Sequence, residues 1–176
     1  MFTLRDFRFA WLLIAAAACW GFATAVSKSA LSAFDPLALL VVQLSASSIF
    51  VTLALLIRRE AVSRTGQTTR LAMLGLLNPG LAYALSLAGL TTISASLSVL
   101  LWAGEPILIL ILAVLVLKDR VTPTMAVLMV AAFTGVVLIV QQRGDGAAFG
   151  VALTVAGVAC CALYTVLCRR LLLDDS

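Results

Sequence analysis

Long apolar stretches separated by short polar segments dominate the chain. Six of them, over residues 9–31, 36–57, 71–90, 92–117, 122–140 and 149–171, reach the roughly 20 residues that a helix needs to cross a bilayer. They are too long for buried strands and lack the polar-apolar alternation of a membrane β-barrel. The pattern therefore predicts an all-α integral membrane protein with about six transmembrane helices.

The basic residues alternate with these stretches in a way that predicts topology. Ten of the 12 Lys and Arg residues fall at one set of helix ends and two at the other. The ten are Arg5, Arg8, Arg58, Arg59, Arg64, Arg70, Lys118, Arg120, Arg169 and Arg170; the two are Lys28 and Arg143. Because basic loops stay in the cytoplasm, we expect a multi-pass protein of the bacterial inner membrane with a cytoplasmic N-terminus.

Composition supports the membrane interpretation and excludes other classes. Hydrophobic residues make up 63% of the chain and charged residues 11%, against about 45–50% and about 25% in soluble domains, so a lipid bilayer is the expected partner. The net charge of +4 is explained by topology, and no nucleic-acid binding is expected. With no His and with all Cys inside apolar stretches, we expect no metal site, no cofactor and no enzymatic activity.

The sixth stretch repeats features of the first. Residues 18–28 and 159–169 both contain an Ala-Cys pair followed by aromatic and Thr residues, and both end in a cation. A repeat that restarts after five helices is inverted in the membrane, a transporter design that places the substrate site between the halves. This predicts a first five-helix repeat over 1–141, a linker over 142–148 and the first helix of an incomplete second repeat over 149–176.

Short motifs are distributed along nearly the whole chain. They are Trp20-Gly21 with Lys28, Asp35-Pro36-Leu37, Glu105-Pro106, Lys118-Asp119-Arg120, Gly135-Val136, and Ala162-Leu163-Tyr164 with Arg169-Arg170. In this order and spacing the chain resembles the EamA-type permeases of the drug/metabolite transporter superfamily. The resemblance implies two five-helix halves, of which this chain holds one half and one further helix. The chain departs from the family at Gln43, where an Arg is frequent.

Glu105 is the most informative single residue. It lies near the middle of the fourth stretch, where a charged side chain costs about 2.5–3.5 kcal/mol on insertion scales. It is interpreted either as a substrate or proton-coupling carboxylate or as a structural hydrogen-bond partner. Pro106 follows it and predicts a helix break that frees the carbonyl of Trp102, a break that either lines a cavity or is an ordinary kink.

Asn78-Pro79-Gly80 predicts a second helix break, in the third stretch. Pro79 is expected to free the carbonyl of Gly75, and the Asn78 amide needs a polar partner within the membrane. Tyr83 lies about one turn further on. Two broken helices favour a central cavity that Asn78 and Tyr83 could line.

Lys28, Gln43 and Trp20 complete the set of candidate substrate-pathway residues, together with Trp102. Lys28 either extends to the outer membrane interface or faces the mouth of the pathway. A substrate bridging Lys28 and Glu105 would carry both charges, as amino acids do. Trp20 and Trp102 lie deeper than an interfacial aromatic belt, so they either line a cavity or pack within the helix bundle.

The resulting hypothesis is a secondary transporter, a permease or exporter, of small metabolites across the cytoplasmic membrane, with amino acids as one candidate class. Alternating access needs two elements that move about a central site, so a homodimer or a missing second half is expected to complete it. Two alternatives stay open: a non-transporting membrane scaffold or assembly subunit, and an inactive fragment of a ten-helix transporter.

Overall fold

Helices account for almost all of the chain that the structure describes. The computed structural model describes residues 4–59, 66–117 and 148–174, and individual positions from 122 to 138, and no strand occurs among them. The helices are α1 (Leu4–Ala30), α2 (Pro36–Arg58), α3 (Gly66–Leu74), α4 (Ala82–Leu90), α5 (Ala95–Trp102), α6 (Glu105–Leu117) and α7 (Ala148–Asp174), with a π-helical segment (Leu76–Leu81) between α3 and α4. The predicted all-α membrane fold is confirmed.

Within the described ranges, five helical stretches are long and apolar enough to cross a membrane. They are Trp11–Ala30, Pro36–Arg58, Gly66–Leu90, Ala95–Leu117 and Ala148–Leu172. They coincide with the first, second, third, fourth and sixth stretches of the hydropathy pattern. The fifth, 122–140, is described only at individual positions, and the turn at 118–120 and the linker up to residue 147 lie outside the described residues. The protein is multi-pass.

Side-chain caps fix where two of the helices begin. Asp35 precedes α2 and its carboxylate accepts a hydrogen bond from the Leu37 amide at 3.0 Å, while Pro36 occupies the first turn, where no amide donor is needed. Ser94 precedes α5 in the same way, and its hydroxyl oxygen accepts a hydrogen bond from the Leu97 amide at 3.2 Å. These caps satisfy backbone donors that lipid would leave without a partner.

The helices differ sharply in how much of their surface other helices cover. On α1 and α2 large apolar side chains point outward, as with Phe22 and Ile57, which are 72% and 82% exposed. Leu40 is the buried side chain of α2. On α7, by contrast, one face is buried against α4, α5 and α6, through Thr154, Val158, Ala162 and Val166. The outward apolar faces fit contact with lipid, and α7 lies within the helix bundle.

α4 and α7 cross at very close range because glycines replace side chains at the contact. A Cβ on Gly157 would lie 2.6 Å from the carbonyl oxygen of Ala82, and one on Gly150 would lie 2.7 Å from that of Gly89. Both distances are shorter than real Cβ contacts. This contact between small residues resembles those that bring membrane helices together in the absence of a hydrophobic driving force.

Both proline-containing segments interrupt their spans. In the third span Asn78 has extended dihedrals (φ −142°, ψ 120°), and the Gly75 carbonyl accepts from the Gly80 amide at 3.1 Å. Pro79 was expected to leave the Gly75 carbonyl without a donor. This carbonyl instead accepts a hydrogen bond from the residue five positions further on, which is the pattern of a π-helix. In the fourth span α5 ends at Trp102 and α6 begins at Glu105, so Pro106 lies in the first turn of a new helix, where its missing donor is tolerated.

Candidate substrate-binding cavity

A cavity of about 450 Å³ lies between α1, α2, α4 and α5. Trp20, Tyr83 and Trp102 form part of its wall, and we call it the aromatic cavity. The ring centroids of Trp20 and Trp102 are 5.4 Å apart at an interplanar angle of 63°, and those of Tyr83 and Trp102 are 6.0 Å apart at 78°. Such edge-to-face pairs are a favoured aromatic geometry and hold the three rings in one arrangement.

The rest of the aromatic cavity is lined by neutral polar side chains and by the apolar residues Ala23, Ala46, Leu87 and Leu90. The Gln43 amide nitrogen donates to the Ser27 hydroxyl at 3.0 Å and so links α2 to α1. The Thr24 hydroxyl donates to the Trp20 carbonyl at 3.0 Å, within α1. The other hydroxyl side chains of the lining belong to Tyr83, Ser47, Ser98 and Ser86, of which the Ser86 hydroxyl is buried against Gly157 of α7 and has no hydrogen-bond partner in the described part of the chain. The wall therefore combines flat apolar surfaces with several hydrogen-bonding groups, which is the usual composition of a small-molecule site.

A second cavity of about 330 Å³ contains Glu105, and we call it the carboxylate cavity. Glu105 is half-buried at the start of α6, and its Oε1 accepts a hydrogen bond from the Cys161 thiol of α7 at 3.1 Å. Pro106 lines the same cavity. Within the described ranges, no group of three or more His, Cys, Asp or Glu residues could hold a metal ion.

Trp20 and Trp102 line both cavities and therefore stand between them. Trp102 is 9% exposed and Trp20 is 42% exposed, so the first ring is fixed by packing and the second is more open. Glu105 lines the carboxylate cavity and does not line the aromatic cavity. The indole pair thus stands between a cavity whose described lining is uncharged and a cavity with a carboxylate.

The remaining candidate residues lie outside the linings of these two cavities. The Lys28 ammonium group donates to the carbonyl oxygens of Leu90 and Thr91, at 2.6 Å and 3.0 Å, where α4 ends. Asn78 and Pro79 belong to the π-helical segment, which packs against α7. The Asn78 Oδ1 atom is buried and has no hydrogen-bond partner in the described part of the chain.

Sequence reasoning found the aromatic residues and Gln43 but missed the hydroxyl groups of the lining and the role of Cys161. The sequence feature that indicates these lining residues is their helical spacing. Trp20, Thr24 and Ser27 recur at one-turn intervals on α1, as do Gln43 and Ser47 on α2, Tyr83 and Ser86 on α4, and Ser98 and Trp102 on α5. Each of these faces pairs a larger polar or aromatic side chain with a hydroxyl one turn away.

The fold and the cavity define a multi-pass membrane protein that holds a small-molecule-sized chamber between its helices. The family model of the EamA-like transporter family matches residues 8–141, and the chain belongs to that family. Its members are membrane transporters of the drug/metabolite superfamily, a class of transporters and not of enzymes. No curated protein and no solved structure matches the chain.

Proposed function

We propose that the protein is a secondary transporter that moves small organic metabolites across the cytoplasmic membrane and binds them in the aromatic cavity. The observation that supports this proposal is the cavity itself, of about 450 Å³ between four helices. Its size falls within the range of about 300–1,000 Å³ of small-molecule sites. Transport of this kind requires no covalent chemistry.

The polar groups of the lining cost folding free energy unless they have hydrogen-bond partners. An unsatisfied hydroxyl or amide in an apolar medium costs about 2–7 kcal/mol, depending on the reference state. Gln43 and Ser27 satisfy part of each other's hydrogen-bonding capacity, and this bond fixes the amide at the cavity wall. A transported molecule would supply the remaining partners while bound and would be replaced by water when the site opens.

Glu105 has a separate role in the proposal. It lies on the far side of the indole pair from the aromatic cavity, so we assign it the coupling proton and not a contact with the substrate. Carboxylates inside membrane spans commonly take part in proton relays. The Cys161 thiol gives the carboxylate one fixed hydrogen bond, and a carboxylate has further lone pairs that can accept a proton.

The transport cycle in this proposal needs two elements that move relative to each other. The five-helix repeat over residues 1–141 is one of them and holds every described residue of the cavity lining, and residues 149–176 are the first helix of the other. The second element is completed by a second copy of the chain or by a second half. The basic helix ends support a cytoplasmic N-terminus in this proposal.

Binding to the purified 176-residue protein tests the proposal most directly. A metabolite panel is screened for compounds that raise the melting temperature in detergent, since a ligand of the folded state stabilises it. Each compound that stabilises is then measured on Ala46→Phe, which fills the aromatic cavity from α2, and on Val42→Phe, an exposed position on the same helix. We expect Ala46→Phe to abolish the stabilisation and Val42→Phe to leave it unchanged.

Two results would contradict the proposal. One is stabilisation that survives Ala46→Phe, which would place the binding site elsewhere. The other is a panel without any stabilising compound together with full biological activity of Glu105→Gln, which would favour the scaffold or assembly subunit. For the coupling role, Glu105→Gln in proteoliposomes is expected to lose uptake driven by a pH gradient and to retain exchange of substrate for substrate.

A further inference from the structure

The aromatic cavity contains no formal charge among the described residues that line it. Its polar groups are the hydroxyls of Ser, Thr and Tyr83, the indoles and the Gln43 amide. An ionised group moved from water into such a site loses hydration without gaining a counter-ion, and the cost is several kcal/mol. The lining therefore discriminates by the charge of the ligand.

Lys28 and Glu105, which lie close to lining residues in the sequence, already have hydrogen-bond partners. The Lys28 ammonium group is bound by two backbone carbonyls at the end of α4, which carries the negative end of the helix dipole. The Glu105 carboxylate lies beyond Trp20 and Trp102 and accepts from Cys161. Neither charged side chain is among the residues that line the aromatic cavity.

The shape of the wall favours a flat ligand. The edge-to-face arrangement sets the rings at steep angles to one another, 63° for one pair and 78° for the other. Faces that are not used for stacking within the trio can stack on a ring of the ligand. Gln43 keeps its carbonyl oxygen as an acceptor beside that surface, because its nitrogen is the atom bonded to Ser27.

From these observations we propose that the aromatic cavity selects uncharged planar solutes that carry a hydrogen-bonding group, such as heteroaromatic amides, over carboxylates and organic cations. The inference rests on the proposed function and names its substrate class. It replaces the amino acid as the expected substrate, since a zwitterion brings two formal charges into a chamber that offers a partner to neither.

Nicotinamide, nicotinate and the ring-methylated cation 1-methylnicotinamide test the charge rule at nearly constant size and shape. At neutral pH they are neutral, anionic and cationic. On the full chain in detergent, we expect nicotinamide to raise the melting temperature and the two ions to bind at least about tenfold more weakly. Gln43→Arg introduces a cation at the cavity wall and is expected to reverse the preference, so that nicotinate stabilises more than nicotinamide. Gln43→Met, of similar size and uncharged, is not expected to favour nicotinate.

The outcomes separate the substrate class from the proposed function. Equal or tighter binding of either ion to the unaltered protein, or no binding of nicotinamide, overturns the class. If binding of the preferred compound is then abolished by Ala46→Phe, the aromatic cavity is still the site and only the charge rule fails. If every compound that binds is indifferent to Ala46→Phe, the proposed function fails as well.

Discussion

The Cys161 thiol donates a hydrogen bond to the Glu105 carboxylate across 3.1 Å. The two residues are 56 positions apart in the chain. One lies on α7 and the other begins α6, directly after the interruption at Ala103 and Gly104. Cys161 is 8% exposed and packs with Ala82, Trp102 and Val158. The bond therefore ties α7 to the broken span at the point where the carboxylate enters its cavity.

We predict that Cys161→Ala destabilises the protein more than its lost volume alone explains. It removes the donor of a carboxylate inside the helix bundle, and a lost hydrogen bond to a charged group costs about 1.5–3 kcal/mol. For a chain of this size the melting temperature in detergent should fall by about 2–4 °C for each kcal/mol.

Two variants show whether the hydrogen bond is the cause. Cys161→Ser keeps a donor of similar size and should recover most of the loss. Cys160→Ala, at the neighbouring position, should lower the melting temperature less than Cys161→Ala does. Equal losses for all three variants would mean that packing, and not the bond to Glu105, is responsible.

A second prediction concerns Lys28. Its ammonium group bonds to the carbonyls of Leu90 and Thr91 and so joins α1 to the end of α4. Lys28→Met removes both bonds and the favourable interaction of a cation with a helix C-terminus, which together are expected to cost about 1–3 kcal/mol. Thermal unfolding in detergent measures the loss. Ser29→Ala on the same helix is the control, because the Ser29 hydroxyl bonds within its own helix, at the Ala25 carbonyl.

The ligand preference of Lys28→Met gives a further check. If Lys28 joins helices and contacts no substrate, the variant should bind nicotinamide and nicotinate in the same order as the unaltered protein. A selective loss of anion binding would instead assign the ammonium group to the substrate pathway.

The spans and their caps were predictable because they depend on local sequence. Hydropathy over about 20 residues locates a membrane helix, and Asp35 before Pro36 is a capping signal that needs no tertiary information. The contacts of the site were not predictable in this way. In a membrane protein, apolar side chains face both lipid and neighbouring helices, so hydropathy does not reveal which face is buried.

The hydroxyl groups of the cavity illustrate the same difficulty. Ser94 and Ser98 are one turn apart in sequence, yet Ser94 caps α5 and Ser98 lines the aromatic cavity. Small hydroxyl residues serve caps, close packing and polar sites equally well in membrane helices. Spacing relative to Trp102 distinguishes them, but only once the cavity is known. Likewise, nothing local in the sequence pairs Glu105 with Cys161.

A third prediction concerns the close approach of α4 and α7. Gly157→Ala would place a Cβ 2.6 Å from the Ala82 carbonyl oxygen and 2.5 Å from the Ser86 hydroxyl. Because one of these atoms belongs to the backbone, the helices must separate, and overpacking of this kind costs about 1–3 kcal/mol. A fall in melting temperature measures the cost.

Gly21→Ala is the matched control for this prediction. Gly21 also lies within a helix, but a Cβ there would meet no atom within 4 Å. Replacing a helical Gly by Ala without a steric conflict stabilises by about 0.5–1 kcal/mol. The two substitutions are therefore expected to shift the melting temperature in opposite directions. A stabilising Gly157→Ala would show that α4 and α7 do not approach each other as described.

The last prediction separates binding from stability at Trp20. This indole lines the aromatic cavity and stacks edge to face with Trp102, yet 42% of its surface is exposed. Trp20→Leu should therefore cost little stability. It removes one flat part of the cavity wall and part of the barrier between the aromatic cavity and the carboxylate cavity. An aromatic contact is worth about 0.5–1.5 kcal/mol beyond its buried area, so nicotinamide affinity should fall by roughly three- to tenfold.

Trp11→Leu on α1 provides the comparison for Trp20→Leu, because Trp11 is 59% exposed and lines neither cavity. It should leave nicotinamide binding unchanged. A second effect is specific to the position between the cavities: with Trp20 removed, a cationic ligand can approach Glu105, so the discrimination against 1-methylnicotinamide should weaken. That gain should disappear in the double variant with Glu105→Gln. If Trp20→Leu binds all three nicotinamide compounds as the unaltered protein does, the indole is a lipid-facing side chain and does not separate the two cavities.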